Sequence, residues 1–168
     1  MRTIFVASIC CALLVSGCSR LSEQEILSQA QKSRNEAKYA DAFGYYRQYL
    51  EEYPRGSQRP QVLLNAASLC GNEMKEYKVA VHLYKQFIAE FPKDSSAGKA
   101  LLLIGFIYAN QINDIDSARS YYTAFIARYP ENEIVPSIRI ELLNLGKDPE
   151  KIIEEKLGTK TDSARTMK

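Results

Sequence analysis

Residues 37–54 read AKYADAFGYYRQYLEEYP, residues 76–92 read EYKVAVHLYKQFIAEFP, and residues 114–130 read DIDSARSYYTAFIARYP. Each stretch ends on a proline, and Pro54, Pro92 and Pro130 are separated by 38 residues each time. The same step joins Ala42, Ala80 and Ala118; Tyr46, Tyr84 and Tyr122; Tyr49, Phe87 and Phe125; Leu50, Ile88 and Ile126; and Tyr53, Phe91 and Tyr129. Columns held at one step are the mark of a supersecondary unit repeated along the chain.

Within one unit, positions 42, 46, 49, 50 and 53 stand at helical offsets, which places an alanine, three aromatics and an aliphatic on one face. That face must be buried. The alanine lets a neighbouring backbone come close, and each aromatic removes roughly 150–250 Å² from water. Proline then stops the helix, because it lacks the amide needed to continue and disfavours helical geometry in the residue before it.

A second amphipathic stretch precedes each of these helices. Ser22 with Glu25 is a capping-box signature for a helix over about 22–36; Ser57 with Pro60 opens one over about 58–73, and Ser95 one over about 96–110. A fourth leading helix keeps step, with Pro60, Gly98 and Pro136 aligned, and likewise Ala66, Ile104 and Leu142. It stops at Gly146. Asp148-Pro149 then caps a short helix to about Leu157, closed by Gly158. The expected fold is therefore all-α, a superhelical stack of about three helical hairpins. The units fall at 22–54, 57–92 and 95–130, with a C-terminal capping helix pair over 133–158 and a flexible polar tail at 159–168.

The front of the chain reads as an address. Arg2 precedes an apolar run, Ile4 to Val15, that is too short to cross roughly 30 Å of hydrocarbon as a mature helix. Leu14-Val15-Ser16-Gly17-Cys18 resembles the bacterial lipobox. That resemblance implies cleavage after a signal peptide of residues 1–17, diacylglycerol on the Cys18 thiol and an N-acyl chain such as palmitate on its amine, leaving residues 18–21 as a lipid-anchored N-terminus. Ser19 in place of Asp implies an outer-membrane destination facing the periplasm. The alternative is a plain secretory signal in which Cys18 is incidental, as Cys10 and Cys11 already lie in the apolar run.

Composition narrows the chemistry. The 168 residues carry 22 Lys and Arg against 20 Asp and Glu, a net charge of +2 with no long basic run, which argues against a nucleic-acid partner. His82 is the single histidine, and the P-loop, H-E-x-x-H, C-x-x-C and G-x-S-x-G motifs are missing from the sequence after Cys18. The reading is a non-enzyme without cofactor or metal site, its one attached group being the lipid on Cys18. His82 is expected to be exposed, Cys70 to be a small buried hydrophobe, and Tyr45 and Tyr121, just off the repeated columns, to belong to a contact surface.

The Ala, aromatic and Pro columns resemble the second helix of tetratricopeptide repeats, and Ile104-Gly105 with Tyr108 resembles the small-residue crossing of the first helix. Ala66-Ala67 and Cys70 occupy the matching places one unit earlier. The unit is 38 residues, against roughly 34 in the family. Together with the lipobox, the chain resembles tetratricopeptide lipoproteins of bacterial envelopes, of the BamD-like outer-membrane assembly kind and of the Tol-Pal-associated periplasmic kind.

That resemblance implies a scaffold whose leading helices line a partner-binding groove, here Ile26, Ala30 and Arg34; Gln61, Leu64, Ser68 and Asn72; and Lys99, Leu102, Phe106 and Asn110. Asn72 and Asn110 share a column, where an amide suits a peptide backbone or simply ends the helix. Leu64, Leu102 and Phe106 stand where a carboxylate clamp would have Lys and Asn, so an amphipathic helix or extended segment fits better than a C-terminal carboxylate. The expected partner is an envelope or outer-membrane protein. The alternative is a ligand-binding lipoprotein that takes a peptidoglycan fragment or small solute.

Overall fold

The computed structural model describes residues 20–148 and residue 150. The signal segment, Cys18, the tail and, apart from Glu150, the helix expected up to Leu157 lie outside those residues. The described residues form helices and no strands: α1 Glu23–Asn35, α2 Tyr39–Glu52, α3 Arg59–Asn72, α4 Tyr77–Glu90, α5 Ala97–Ile107, α6 Ile115–Arg128 and α7 Val135–Asn144. Tyr108–Ile112 prolongs α5 as a π-helical turn. Close backbone approach runs from each helix to its chain neighbours, tightest within the hairpins α1–α2, α3–α4 and α5–α6. This is the one-dimensional packing of a tetratricopeptide-like stack.

The repeated columns form the core. Ala42, Ala80 and Ala118 are fully buried, as are Tyr49 and Phe87, with Phe125 at 1% exposure. Each of these three rings meets the aromatic one turn later in the same tilted pose: Tyr49–Tyr53 at 5.6 Å and 37°, Phe87–Phe91 at 5.8 Å and 38°, Phe125–Tyr129 at 5.5 Å and 37°. Tyr46, Tyr84 and Tyr122 complete the buried face. Gly105 of α5 lies against the last of them: a Cβ there would come within 2.6 Å of the Tyr122 ring.

Helix starts are held in two ways. Ser22 closes a capping box with Glu25, its amide donating to the Glu25 carboxylate at 2.8 Å. Asp114 accepts from the Ser117 amide at 3.0 Å. The starts of α3 and α5 depart from expectation, since their N-caps are Gln58 and Ser96 rather than Ser57 and Ser95. A recurring turn does the work instead: Gly56, Asp94 and Asn132 donate backbone bonds to Tyr53, Phe91 and Tyr129. In the later two turns the side chain accepts from the amide two residues on, Asp94 from Ser96 at 2.7 Å and Asn132 from Ile134 at 3.0 Å. Gly56 has no such side chain. There the Tyr49 hydroxyl accepts from the Gln58 amide at 3.2 Å and donates to Glu23 at 2.6 Å. A Cβ at Gly56 would stand 2.3 Å from that hydroxyl.

The turns inside the hairpins place Ala37, Lys75 and Asn113 in the left-handed region, at φ of 56°, 59° and 60°. The bonds that close them differ. Lys38 donates to Ser33 five residues back, a Schellman-type closure, whereas Glu76 donates to Cys70 and Asp114 to Tyr108, six back. The later two hairpins therefore hold one extra residue at the end of the leading helix. Leading helices α1 and α3 align at a step of 37, while α3 and α5 align at 38.

Two arginines brace the ends of second helices. Arg59 makes a two-pronged pair with Glu90 at 2.6 and 2.9 Å and donates to the Leu50 carbonyl at 2.9 Å. Arg20 repeats this at the front, donating to the Glu52 carboxylate at 2.7 Å and to its carbonyl, and it lies over the Tyr53 ring. The Tyr53 hydroxyl donates to the Leu21 carbonyl at 2.6 Å, so Arg20 and Leu21 lie against the end of α2. At the far end α7 stops as expected, with Gly146 at φ 81°, and leaves Ile140 and Leu143 exposed.

Candidate functional site

A recess lies between α3 and α5, over the α4 side chain Tyr84. Gln61, Leu64, Asn65, Ser68 and Asn72 of α3 face Ser96, Lys99, Ala100 and Leu103 around a space of about 470 Å³. It adjoins a second space of about 210 Å³ that shares Asn72, Tyr84 and Leu103 and adds Lys75, Phe106 and Gln111. These side chains meet because residues three and four apart on a helix share a face. The two spaces form one trough along the slot between the leading helices of units two and three.

The trough brings together Gln61, Leu64, Ser68, Asn72, Lys99 and Phe106, named above from the family resemblance. It does not take in the rest of that set. Leu102 is half-buried and packs toward Phe125 and Val135. Asn110 lies in a separate recess between the end of α5 and α7, with Asn113, Glu141 and Asn144.

Unit one needs a correction. Ile26 and Ala30 are fully buried in the core and cannot line a groove, and the half-buried Arg34 borders none of the recesses. The cause is the one-residue difference between hairpins. A step of 38 carries Leu64, Ser68 and Asn72 back onto Ile26, Ala30 and Arg34, whereas the step of 37 that the turns impose carries them onto Leu27, Gln31 and Asn35. Those three, with Gln24 and Ser28, do line a recess on α1. On a helix one residue is about 100°, enough to turn a solvent-facing position into a core one.

With the register restored, Gln24, Gln61 and Lys99 form one column, Leu27, Leu64 and Leu102 another, and Asn35, Asn72 and Asn110 a third. The Leu and Asn columns hold through all three units. Each asparagine keeps hydrogen-bonding capacity free: Asn72 donates to Ser68 at 3.1 Å, Asn110 to the Phe106 carbonyl at 3.1 Å, and Asn35 accepts from Gln31 at 2.8 Å. The sequence reading missed Asn35, Leu27, Asn65, Leu103, Lys75 and Tyr84 as lining residues. The signal was present for the first two, at a step of 37.

The other singled-out residues fall elsewhere. His82 is exposed, and Cys70 is fully buried, its thiol pushed up to about 11 by burial and by Glu76. Tyr45 and Tyr121 are half-buried and pack against the core. Tyr121 stacks on Tyr108 at 5.8 Å, and Lys85 lies over both rings while donating to the Tyr108 hydroxyl at 3.0 Å. Among the described residues no group of His, Cys, Asp and Glu is placed to hold a metal ion, and no helix is long and apolar enough to cross a membrane.

No curated protein matches the chain. Residues 99–132 match the tetratricopeptide repeat family, a span that begins at Lys99 in the trough wall and runs through α6 to the turn after it. The matched unit is the third of three hairpins alike in aromatic pairing and buried columns. Residues 99–132 thus match a tetratricopeptide repeat within the helical stack of the described residues, a kind of repeat that generally mediates protein–protein interaction.

Proposed function

We propose that this chain is a lipid-anchored scaffold of the bacterial envelope. It is tethered through Cys18, with the outer membrane facing the periplasm as its site, and it holds an envelope protein partner in the trough between α3 and α5. Outer-membrane protein assembly or envelope maintenance is the process we assign to it. The observation that carries the reading is the trough itself: an elongated, mixed apolar and amide-lined surface on a repeat stack, with Gln61, Asn72 and Lys99 exposed along it. The lipobox residues supply the tether. A solute-binding lipoprotein calls for an enclosed polar pocket, and nothing in the open slot favours that alternative.

The mechanism is effective concentration. A tether of acyl chains, each methylene contributing about 0.8 kcal/mol, confines the trough to a thin layer beside the membrane. A partner held in the same layer meets it at raised local concentration, so weak contacts are enough for capture. The test is photo-cross-linking in intact cells from a reactive residue replacing Leu64, beside the same experiment with Cys18→Ser. Recovery of a membrane protein that depends on Cys18 supports the scaffold. Recovery of glycan alone, or membrane retention of Cys18→Ser, refutes it.

A further inference from the structure

The charges around the trough are one-sided. Among the described residues, Lys99 is the one charged side chain lining the larger space and Lys75 the one lining the smaller, and no carboxylate borders either. Lys99 is exposed and makes no ion pair or hydrogen bond within the described residues. Lys75 sits just past the end of α3, its ammonium on the Asn72 carbonyl. Lys99 faces Gln61 near the start of α3, so the two cations stand at opposite ends of the slot. At 1.5 Å per residue along the helix they are roughly 20 Å apart. Between them the wall is apolar at Leu64, Leu103 and Phe106, floored by Tyr84, and carries amides at Asn65 and Asn72.

An occupant must complement all three features. Phe106 is 51% exposed, a large apolar surface that burial against a partner would take out of water. Asn65 and Asn72 offer a donor and an acceptor each, the pair a peptide group requires. The cations call for carboxylates. An extended strand rises about 3.3 Å per residue, so two carboxylates meeting both ends of the slot are roughly six residues apart.

We propose that the trough takes an extended acidic segment of the partner, with carboxylate side chains roughly six residues apart on Lys99 and Lys75. Apolar side chains between them rest on Leu64, Leu103 and Phe106. This rests on the scaffold reading and adds the chemistry of the partner. The probe is a fluorescent synthetic peptide with blocked termini and a glutamate at each end of a leucine- and serine-bearing middle. Its counterparts carry glutamine or lysine in place of the glutamates.

Titrated into the detergent-solubilised full chain at low salt, the glutamate peptide is expected to bind at least about tenfold tighter than the glutamine one. Added salt should erode that advantage. Lys99→Gln should abolish most of it and Lys99→Glu should reverse it, with unchanged melting because Lys99 is exposed and unpaired. Equal binding of the three peptides, preference for the lysine peptide, absence of binding, or occupation of the trough by a second copy of the chain overturns the inference. A partner cross-linked in cells through a neutral segment would leave the scaffold standing and remove this proposal. Glutamate-peptide binding without any cross-linked membrane protein would do the reverse.

Discussion

Units two and three put phenylalanine in the core and a side-chain acceptor in the following turn, whereas unit one puts tyrosine in the core and glycine in the turn. The two solutions exclude each other. Tyr49→Phe removes the hydroxyl that the Gln58 amide donates to and that Glu23 accepts from, in a fully buried place, so it should cost about 1–3 kcal/mol. Gly56→Asn alone sets a Cβ 2.3 Å from the hydroxyl and 2.9 Å from the ring carbon that bears it, forcing the ring to shift, at about 1–3 kcal/mol. Together they rebuild what Phe125 and Asn132 already do: the new amide oxygen accepts from Gln58 as Asn132 accepts from Ile134. The double variant is expected within about 1 kcal/mol of the parent; the single losses sum to about 2–6 kcal/mol, so this means a favourable coupling of about 1–6 kcal/mol. Urea unfolding followed by circular dichroism gives the cycle. Amide exchange at Gln58 gives the local readout: slow in the parent, fast in Tyr49→Phe, slow again in the pair. Additive losses, or a Gln58 amide that stays fast in the pair, would refute the equivalence of the three turns.

Gly105→Ala drives a Cβ to 2.6 Å from the Tyr122 ring and should lower stability by about 1–3 kcal/mol, read as a reduced urea midpoint at unchanged slope. Arg59→Lys cannot keep both prongs on Glu90 and the bond to Leu50, so a loss of about 1–2 kcal/mol is expected, and little further loss when Glu90→Gln is added. Alkaline pH should unfold the stack. Burial holds the Cys70 thiol at about 11 and the Tyr49 and Tyr122 hydroxyls at about 12, above their unfolded values. The unfolded chain therefore gives up these protons first, and the stability tied to the neutral groups, complete below about pH 8, declines as pH rises toward 12. Cys70→Ala should delay the start of that decline in a pH series of urea midpoints, and an unchanged onset would count against the buried thiol.

The second helices of the hairpins were legible almost to the residue. Their faces carry large aromatics whose burial leaves one rotational setting, and a proline marks each end. Stops written in backbone chemistry were legible too, such as the capping box at Ser22 and the glycine at 146. The starts of α3 and α5 were not, because a serine near a helix start reads as a cap, whereas here Asp94 and the Tyr49 hydroxyl hold the turn from outside the helix. That exchange leaves only a glycine in the sequence, at position 56. The partial burial of Tyr45 and Tyr121 was hidden for a similar reason: their neighbours come from other helices, Tyr108 and Lys85 in the case of Tyr121.

The trough was half legible, and the missing half has one cause. The constant step of 38 was measured on the second helices, and it holds there because each of them begins after the same left-handed residue. The leading helices sit upstream of that residue, where the hairpin of unit one closes five residues back and the others six. Apolar residues on α1 satisfy either step, since Ile26 and Leu27 are adjacent and either one can be laid on Leu64. Burial decides between them: Ile26 is fully enclosed and Leu27 is not. Once α1 is turned by that one residue, Asn35 joins Asn72 and Asn110, and Leu27 joins Leu64 and Leu102. Core columns recur because every unit must pack on the next. Packing does not ask for an exposed asparagine two turns from a leucine in every leading helix. Helix ending accounts for it in α1 and α3, whose last residues are Asn35 and Asn72, and in the proposed scaffold the same amides, still with hydrogen-bonding capacity to spare, face the partner segment.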